Sequence, residues 1–135
     1  MDVWAAMAGV AELFDGSGWV CYGHIPDDVE PPALVVSMGA EFTYSRDFRG
    51  GMVAAVEMIA LVATVEAEDA QRRVAAALST TGDGPVPAVV PILRAGQSNK
   101  PLWNDLQVRS ASGPQPFLVG GERRLLGVVF NLTIT

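Results

Sequence analysis

Met52-Val-Ala-Ala-Val-Glu-Met-Ile-Ala-Leu-Val-Ala-Thr64 contains no proline, no glycine and a single charge, Glu57. How this stretch is read decides the fold. Alanine, methionine, leucine and glutamate favour a helix. Against that, Val53, Val56, Ile59 and Val62 are β-branched and fit a pleated surface. Gly50-Gly51 punctuates the entry, and a clear helix signal begins only after Thr64. We read 52–64 as a strand. Fully extended it would run about 40 Å, roughly twice a common strand. It is too short to cross a bilayer as a helix, which takes roughly 20 apolar residues. Val53, Ala55, Ile59 and Leu61 fall on one face, and Met52, Ala54, Val56, Met58 and Val62 on the other. Two apolar faces describe a central strand covered on both sides, of the kind that often continues its sheet into another subunit.

The flanking segments supply the layers for such a strand. Upstream, Asp2 to Phe14 reads as a helix capped by Asp2. Val3, Met7, Val10 and Phe14 form its stripe, with Trp4, Ala11 and Leu13 beside it, and Asp15-Gly16-Ser17-Gly18 ends it. Trp19 to Ile25 reads as a strand, Pro26 to Pro32 as an acidic prolyl turn, and Ala33 to Met38 as a second strand. Gly39 to Gly51 mixes Glu41, Arg46, Asp47 and Arg49 with Phe42, Tyr44 and Phe48. It is either an irregular connection or an edge strand with a hairpin.

Downstream, Ala67 to Ser79 is the strongest helix. Glu66, Glu68 and Asp69 lie at its favourable end, and Ala70, Val74, Ala77 and Leu78 form its stripe. Arg72 and Arg73 point outward, and Glu68 and Arg72 form an i,i+4 pair. A short helix from Pro87 follows. Leu102 to Ser112 alternates as a strand, and Ser112-Gly113-Pro114-Gln115-Pro116 reads as a turn. Arg123 to Thr135 is the clearest strand. Leu126, Val128, Phe130, Leu132 and Ile134 share one face, and Gly127, Asn131, Thr133 and Thr135 lie largely on the other. The fold class is α+β: a mostly antiparallel mixed sheet with two main helices packed on it, in a single domain spanning 1–135.

Composition narrows the function. Half of the 135 residues are hydrophobic and 18% are charged, below the usual quarter. That suits a well-packed small domain or, on the sharper reading, a subunit partly covered by partners. A net charge of −6 argues against tight nucleic-acid binding, which needs cationic side chains to neutralise phosphates. The single cysteine, Cys21, excludes an internal disulfide framework. With no signal-peptide pattern and no segment of membrane-spanning length, a protein made in the cytoplasm and free of membrane is expected.

Catalytic patterns are sparse. Cys21 and His24 are too few for zinc and, on a strand, point to opposite faces. Asp27, Asp28 and Glu30 cluster in the prolyl turn, with Glu41 and Asp47 beyond. Carboxylates so placed can hold Mg²⁺ or work as an acid–base pair, yet a solvated or partner-facing acidic edge needs no further residues. Gly50-Gly51 and Gly120-Gly121 lack the lysine and hydroxyl residue of a phosphate loop. Trp4, Trp19 and Trp103 read as core or interface anchors. No cofactor, metal or enzymatic activity is expected.

Several motifs, in order, carry a resemblance. They are Leu13-Phe14-Asp15-Gly16 closing the first helix; Val20 to Val36 with Pro26, Asp27 and Pro31-Pro32; and Asp47-Phe48-Arg49-Gly50-Gly51 before the long strand. Asp69-Ala70-Gln71 opens the second helix, and Leu125-Leu126-Gly127-Val128 lies in the last strand. In order, spacing and length the chain resembles the tail terminator proteins of long-tailed (siphovirus-like) actinobacteriophages. The resemblance implies a virion structural protein whose copies form a homohexameric ring at the head-proximal end of the tail. Its partners would be the tail tube protein and the head–tail connector or stopper, with genomic DNA passing through the lumen without specific binding. Contact residues chosen from composition are Asp27, Asp28, Glu30, Glu41, Arg46 and Arg49. Two alternatives stay open: a connector or stopper protein of the neck, and a small metal-assisted hydrolase using the acidic turn.

Overall fold

The computed structural model describes residues 1–22, 29–44 (backbone only at 40, 41 and 43), 51–82, 84–100, 102–120 and 123–135. The elements run α1 (Val3–Glu12), β1 (Val20–Tyr22), β2 (Ala33–Tyr44), β3 (Met52–Thr64), α2 (Ala70–Leu78), α3 (Val89–Ala95), β4 (Leu106–Val119) and β5 (Arg123–Ile134). The fold is α+β. Among the described residues five strands form one mixed sheet in the order β1-β2-β3-β5-β4. β1 and β2 pair parallel, and the other three pairings are antiparallel. Among the described residues three helices accompany the sheet: the two main ones expected and the short one expected from Pro87, which starts at Val89 and runs to Ala95.

β3 has the expected bounds and lies at the centre. Val56, Met58, Ala60 and Val62 enter the main core with Leu34 and Val36 of β2 and Val128, Phe130, Leu132 and Ile134 of β5. From the helix layer come Met7, Val10 and Phe14, then Val74 and Ala77, then Val89 and Leu93. Each large side chain fully buried here contributes about 1.5–3 kcal/mol relative to exposure.

The second face departs from expectation. Among the described residues a smaller cluster of Val29, Ala33, Val35, Leu61 and Leu125, with Tyr22, Ile59, Phe117 and Val119 packed on it, covers one end. At the other end Val53, Ala55 and Glu57 are half-buried. α1, α2 and α3 all pack into the one main core, so among the described residues the opposite face is covered by side chains of the strands themselves and by Val29. Gly127 makes part of this cover fit. A Cβ there would lie 2.9 Å from the Phe117 ring and 3.0 Å from a Leu61 methyl, so the ring rests over the glycine.

Several boundaries also differ. α1 ends at Glu12, with Phe14 carried into the core by a following turn. Asp2 caps it as expected, its Oδ1 accepting from Ala5 N at 3.1 Å, an arrangement worth about 1 kcal/mol. Trp4 is 63% exposed, so it is no core anchor. Trp19 and Trp103 are buried, and their indole N–H groups donate to Pro87 O at 2.9 Å and Gly96 O at 3.0 Å. β1 begins at Val20 rather than Trp19 and is described to Tyr22; the remainder of that expected strand and Pro26 to Asp28 lie outside the described residues. β2 extends to Tyr44, which settles 39–44 as strand.

In α2 the ion pair that forms is Arg73 Nε to Asp69 Oδ2, 2.9 Å, one residue along from the expected Glu68–Arg72 pair. Leu78, assigned to the apolar stripe, is 36% exposed. The expected turn at 112–116 is part of β4. Gly113, at φ 115°, and Pro114 are absorbed by a register shift between Ser112 and Gln115. β4 is an edge strand, and proline is tolerated where the missing N–H would have faced away from the neighbouring strand.

Candidate interaction surfaces

Of the six contact residues chosen from the sequence, Asp27, Asp28, Arg46 and Arg49 lie outside the described residues. Glu41 is on β2 within a register shift between Met38 and Phe42, and only its backbone is described. Glu30 is exposed and engaged within the chain. Its Oε1 accepts from Arg123 Nη1 at 2.9 Å, and the same nitrogen donates to Val29 O at 3.2 Å. This arginine ties the segment before β2 to the start of β5 and holds Val29 over the second cluster. The pair itself is water-exposed, so its Coulomb contribution is about 0–1 kcal/mol.

Two further surfaces emerge from packing. Trp4, Ala8, Glu12 and Asp15 recur on the exposed stripe of α1 and its following turn. Gly9 and Leu13 lie on another side. A Cβ at Gly9 would meet Leu102 and the Trp103 ring at 2.6 and 2.9 Å, and one at Gly96 would meet Leu13 at 2.6 Å. α1 therefore turns its small residue toward the 96–103 loop and its tryptophan to solvent.

The second surface is a groove between the helix layer and β4. One part, about 180 Å³, is lined by Leu78, Val90, Arg94, Val108, Arg109 and Phe130 among others. The adjoining part, about 310 Å³, is lined by Leu93, Arg94, Gln97, Leu106, Gln107 and Val108. Arg94 and Val108 belong to both, so the two parts form one trough along the edge of the sheet. Asp105, at the start of β4, accepts from Gln97 Nε2 at 2.9 Å and Gln107 Nε2 at 2.7 Å. Arg109 Nε donates to Thr133 Oγ1 at 3.0 Å.

On the face opposite the helices, register aligns Ser37, Glu57, Asn131 and Ser110 in a row across the sheet. Asn131 Nδ2 donates to Ser110 Oγ at 3.1 Å. The one charge in β3 thus sits among small polar groups, on the half of this face that the second cluster leaves uncovered.

Cys21 is half-buried, with its Sγ 3.9 Å from Trp19 O. Burial pushes its thiol up to about 11, and the carboxylate of Asp15 adds to the shift. The thiolate, the nucleophilic form, is therefore scarce at neutral pH. Alkylation of Cys21 in the folded protein is expected to stay slow through pH 9 and to accelerate toward pH 11. In denaturant the same thiol should titrate near 9.0. Between these pH values the unfolded chain releases the proton first, so folding stability declines as pH rises and is insensitive to this group below pH 9. Rapid alkylation of native protein at pH 8 would show that the thiol is not desolvated.

Among the described residues no three His, Cys, Asp or Glu side chains come together as a metal site. No helix among them is long and apolar enough to cross a membrane. The chain matches no protein-family model and no curated protein sequence. The described surfaces offer contact chemistry: an exposed aromatic beside carboxylates, and an apolar trough with Arg94 in its lining.

Proposed function

We propose that the protein is a structural virion component that forms a ring on the head-proximal end of a phage tail tube. There it stops tube polymerisation and joins the tail to the head connector. The observation that carries this reading is the order of elements. A first helix, a strand pair around a prolyl segment, a long central strand, a second helix and a final strand follow one another at the spacing on which the resemblance rests. The mechanism is geometric. One ring face copies the end contacts of a tube subunit, and the other presents no site for a further tube ring, so a heterologous polymer that would stay open is closed off. The acidic balance of the chain keeps the DNA backbone from adhering as the genome passes.

Native mass spectrometry over a concentration series, alone and with tail tubes, tests this. A closed ring, or one appearing only on tube ends, is the expected result. A chain that never binds tubes overturns it, and binding to the portal side without any effect on tail length would reassign the protein to the neck as a connector or stopper. Reversing Arg46 and Arg49 to glutamate is expected to impair ring or tube assembly while leaving the thermal transition of the fold intact. Unchanged assembly removes both from the contact surface.

A further inference from the structure

Among the described residues, both margins of the sheet carry an open edge. β1 covers the outer side of β2 only from Ala33 to Val35, whereas β2 runs on to Tyr44. At the other margin β4 is outermost. Its Leu106 N donates to Gln97 O at 2.8 Å, and beyond that amide no described element bonds to its outer side. Register carries a level across the sheet. Leu106 stands with Ile134, Ala54 and Phe42, and Val108 with Leu132, Val56 and Met38. The proline-free start of β4 is therefore level with the part of β2 that outruns β1. Gln115 stands with Gly127, Leu61 and Ala33. The half of β4 that Pro114 and Pro116 blunt against pairing is thus level with the end that β1 covers.

Polarity and sidedness agree with this matching. Three successive antiparallel pairings lead from β2 through β3 and β5 to β4, so β4 points opposite to β2. A copy set alongside by rotation about an axis near the strand direction keeps its faces. Its β2 then lies antiparallel to this β4, the commoner and slightly more stable arrangement. Met38 and Tyr44, 53% and 71% exposed, pair with Val56 and Met52 and so lie on the helix side of the sheet. Val108 and Ala111 pair with Leu132 and Phe130, on that same side, where the trough runs.

We infer that the sheet continues from one copy of the chain into the next. The outer edge of β4, from Leu106 to Ser112, pairs antiparallel with β2 of a second copy where that strand outruns β1. Met38 and Tyr44 of the second copy lie against the trough. The unpaired N–H and C=O groups of an edge accept another extended backbone. This chain itself carries an edge of matching level, polarity and apolar side, which identifies the occupant as a second copy. β1 of that copy faces the proline half of β4, which needs no partner. Because the two edges differ, the contact is head-to-tail and does not form a two-fold dimer. Because the two stretches are level, successive copies need little rise, which favours a closed ring over a filament. This deepens the ring reading above and rests on it for its setting.

Photo-crosslinking tests the pairing without any tail component. The photoreactive residue p-benzoylphenylalanine replaces Met38, which is exposed in the single chain. Isotopically heavy and light protein are mixed at low concentration, concentrated together and illuminated. Crosslinks joining heavy to light peptides are expected between position 38 and residues 106–112 of β4 or the trough beside them. Separately, the double variant Met38→Glu and Tyr44→Glu would set two carboxylates against an apolar surface. By native mass spectrometry it is expected to lose the oligomer seen for the unmodified chain. Circular dichroism and thermal melts establish that it folds; if it does not, the crosslink map alone decides. An unmodified chain that stays monomeric, intermolecular crosslinks that map elsewhere, or a folded double variant that still assembles would each overturn the inference. Oligomers that show the expected crosslink but ignore tail tubes would instead overturn the terminator reading and leave this contact standing.

Discussion

Met58→Lys is expected to give no folded protein. Met58 is fully buried in the middle of β3, with Val36 of β2 and Phe130 of β5 as its cross-strand partners. Among the described residues no carboxylate is buried, so an ammonium there would meet none of them. A buried unpaired charge costs several kcal/mol even after relaxation. The lysine can escape only by giving up its proton, at about 1.4 kcal/mol for each pKa unit of depression. Lost packing adds a further cost, and the total rivals the roughly 5–15 kcal/mol by which a domain of this kind is stable. The expected observation is loss of soluble yield, or a circular dichroism melt with no cooperative transition. Glu57→Gln, one residue away, is the control. Its side chain is half-exposed on the opposite face, so stability should move by about 0.5 kcal/mol or less. A near-wild-type melt for Met58→Lys, or collapse on Glu57→Gln, would show that the alternation in β3 has been assigned to the wrong faces.

That pair of substitutions bears on how far the sequence reveals the fold. β3 was legible because its β-branched content and its glycine entry pointed the same way, and β5 because strict alternation from Leu126 to Ile134 leaves one solution. The helix cap at Asp2 was legible because capping is local. What failed was whatever depends on an element's neighbours. Proline in Gly113-Pro114-Gln115-Pro116 reads as a turn until β4 is known to be an edge, where a missing N–H costs the ladder nothing. β3 looked covered on both faces, but the side on which α1, α2 and α3 settle is a tertiary outcome, and it leaves Glu57 half-buried on the other face, beyond the second cluster. Glu68 and Asp69 each have an arginine four residues on; the pair observed is Asp69 with Arg73. The surfaces were harder still. Glu30 was picked out as part of an acidic cluster, but its partner Arg123 is 93 residues away. The trough draws Leu78 and Thr80 from the end of α2 and beyond, Val90 and Arg94 from α3, and Val108 to Ala111 from β4. Phe130 of β5 joins them, and no local pattern announces a groove assembled from four elements. Exposed Trp4 had a weak signal: it stands beside Val3 rather than on the Val3-Met7-Val10-Phe14 stripe.

Trp103→Ala is expected to cost about 3–5 kcal/mol, lowering the thermal midpoint by an amount on the order of 10–15 °C for a chain of this length. Trp103 is only 2% exposed. Its indole donates to Gly96 O, its backbone exchanges hydrogen bonds with Asn99 at 3.0 and 3.3 Å, and its ring lies against Gly9 of α1. One side chain thus joins α1, the end of α3 and the approach to β4. Trp103→Phe keeps much of the apolar volume but leaves the Gly96 carbonyl without its donor, so about 1–3 kcal/mol should be lost. The same junction makes Gly9 a size sensor. Any Cβ there would come within 2.9 Å of the ring and 2.6 Å of Leu102, and Gly9→Ala is expected to cost about 1–3 kcal/mol from overpacking. Because Gly9→Ala and Trp103→Ala act on the same contact, the double variant should be less damaged than the sum of the two, with a coupling of about 0.5–3 kcal/mol in a thermodynamic cycle. Strict additivity would mean that α1 is not held by this ring. The flank carrying Trp4, Glu12 and Asp15 would then need another support to keep its place relative to the sheet.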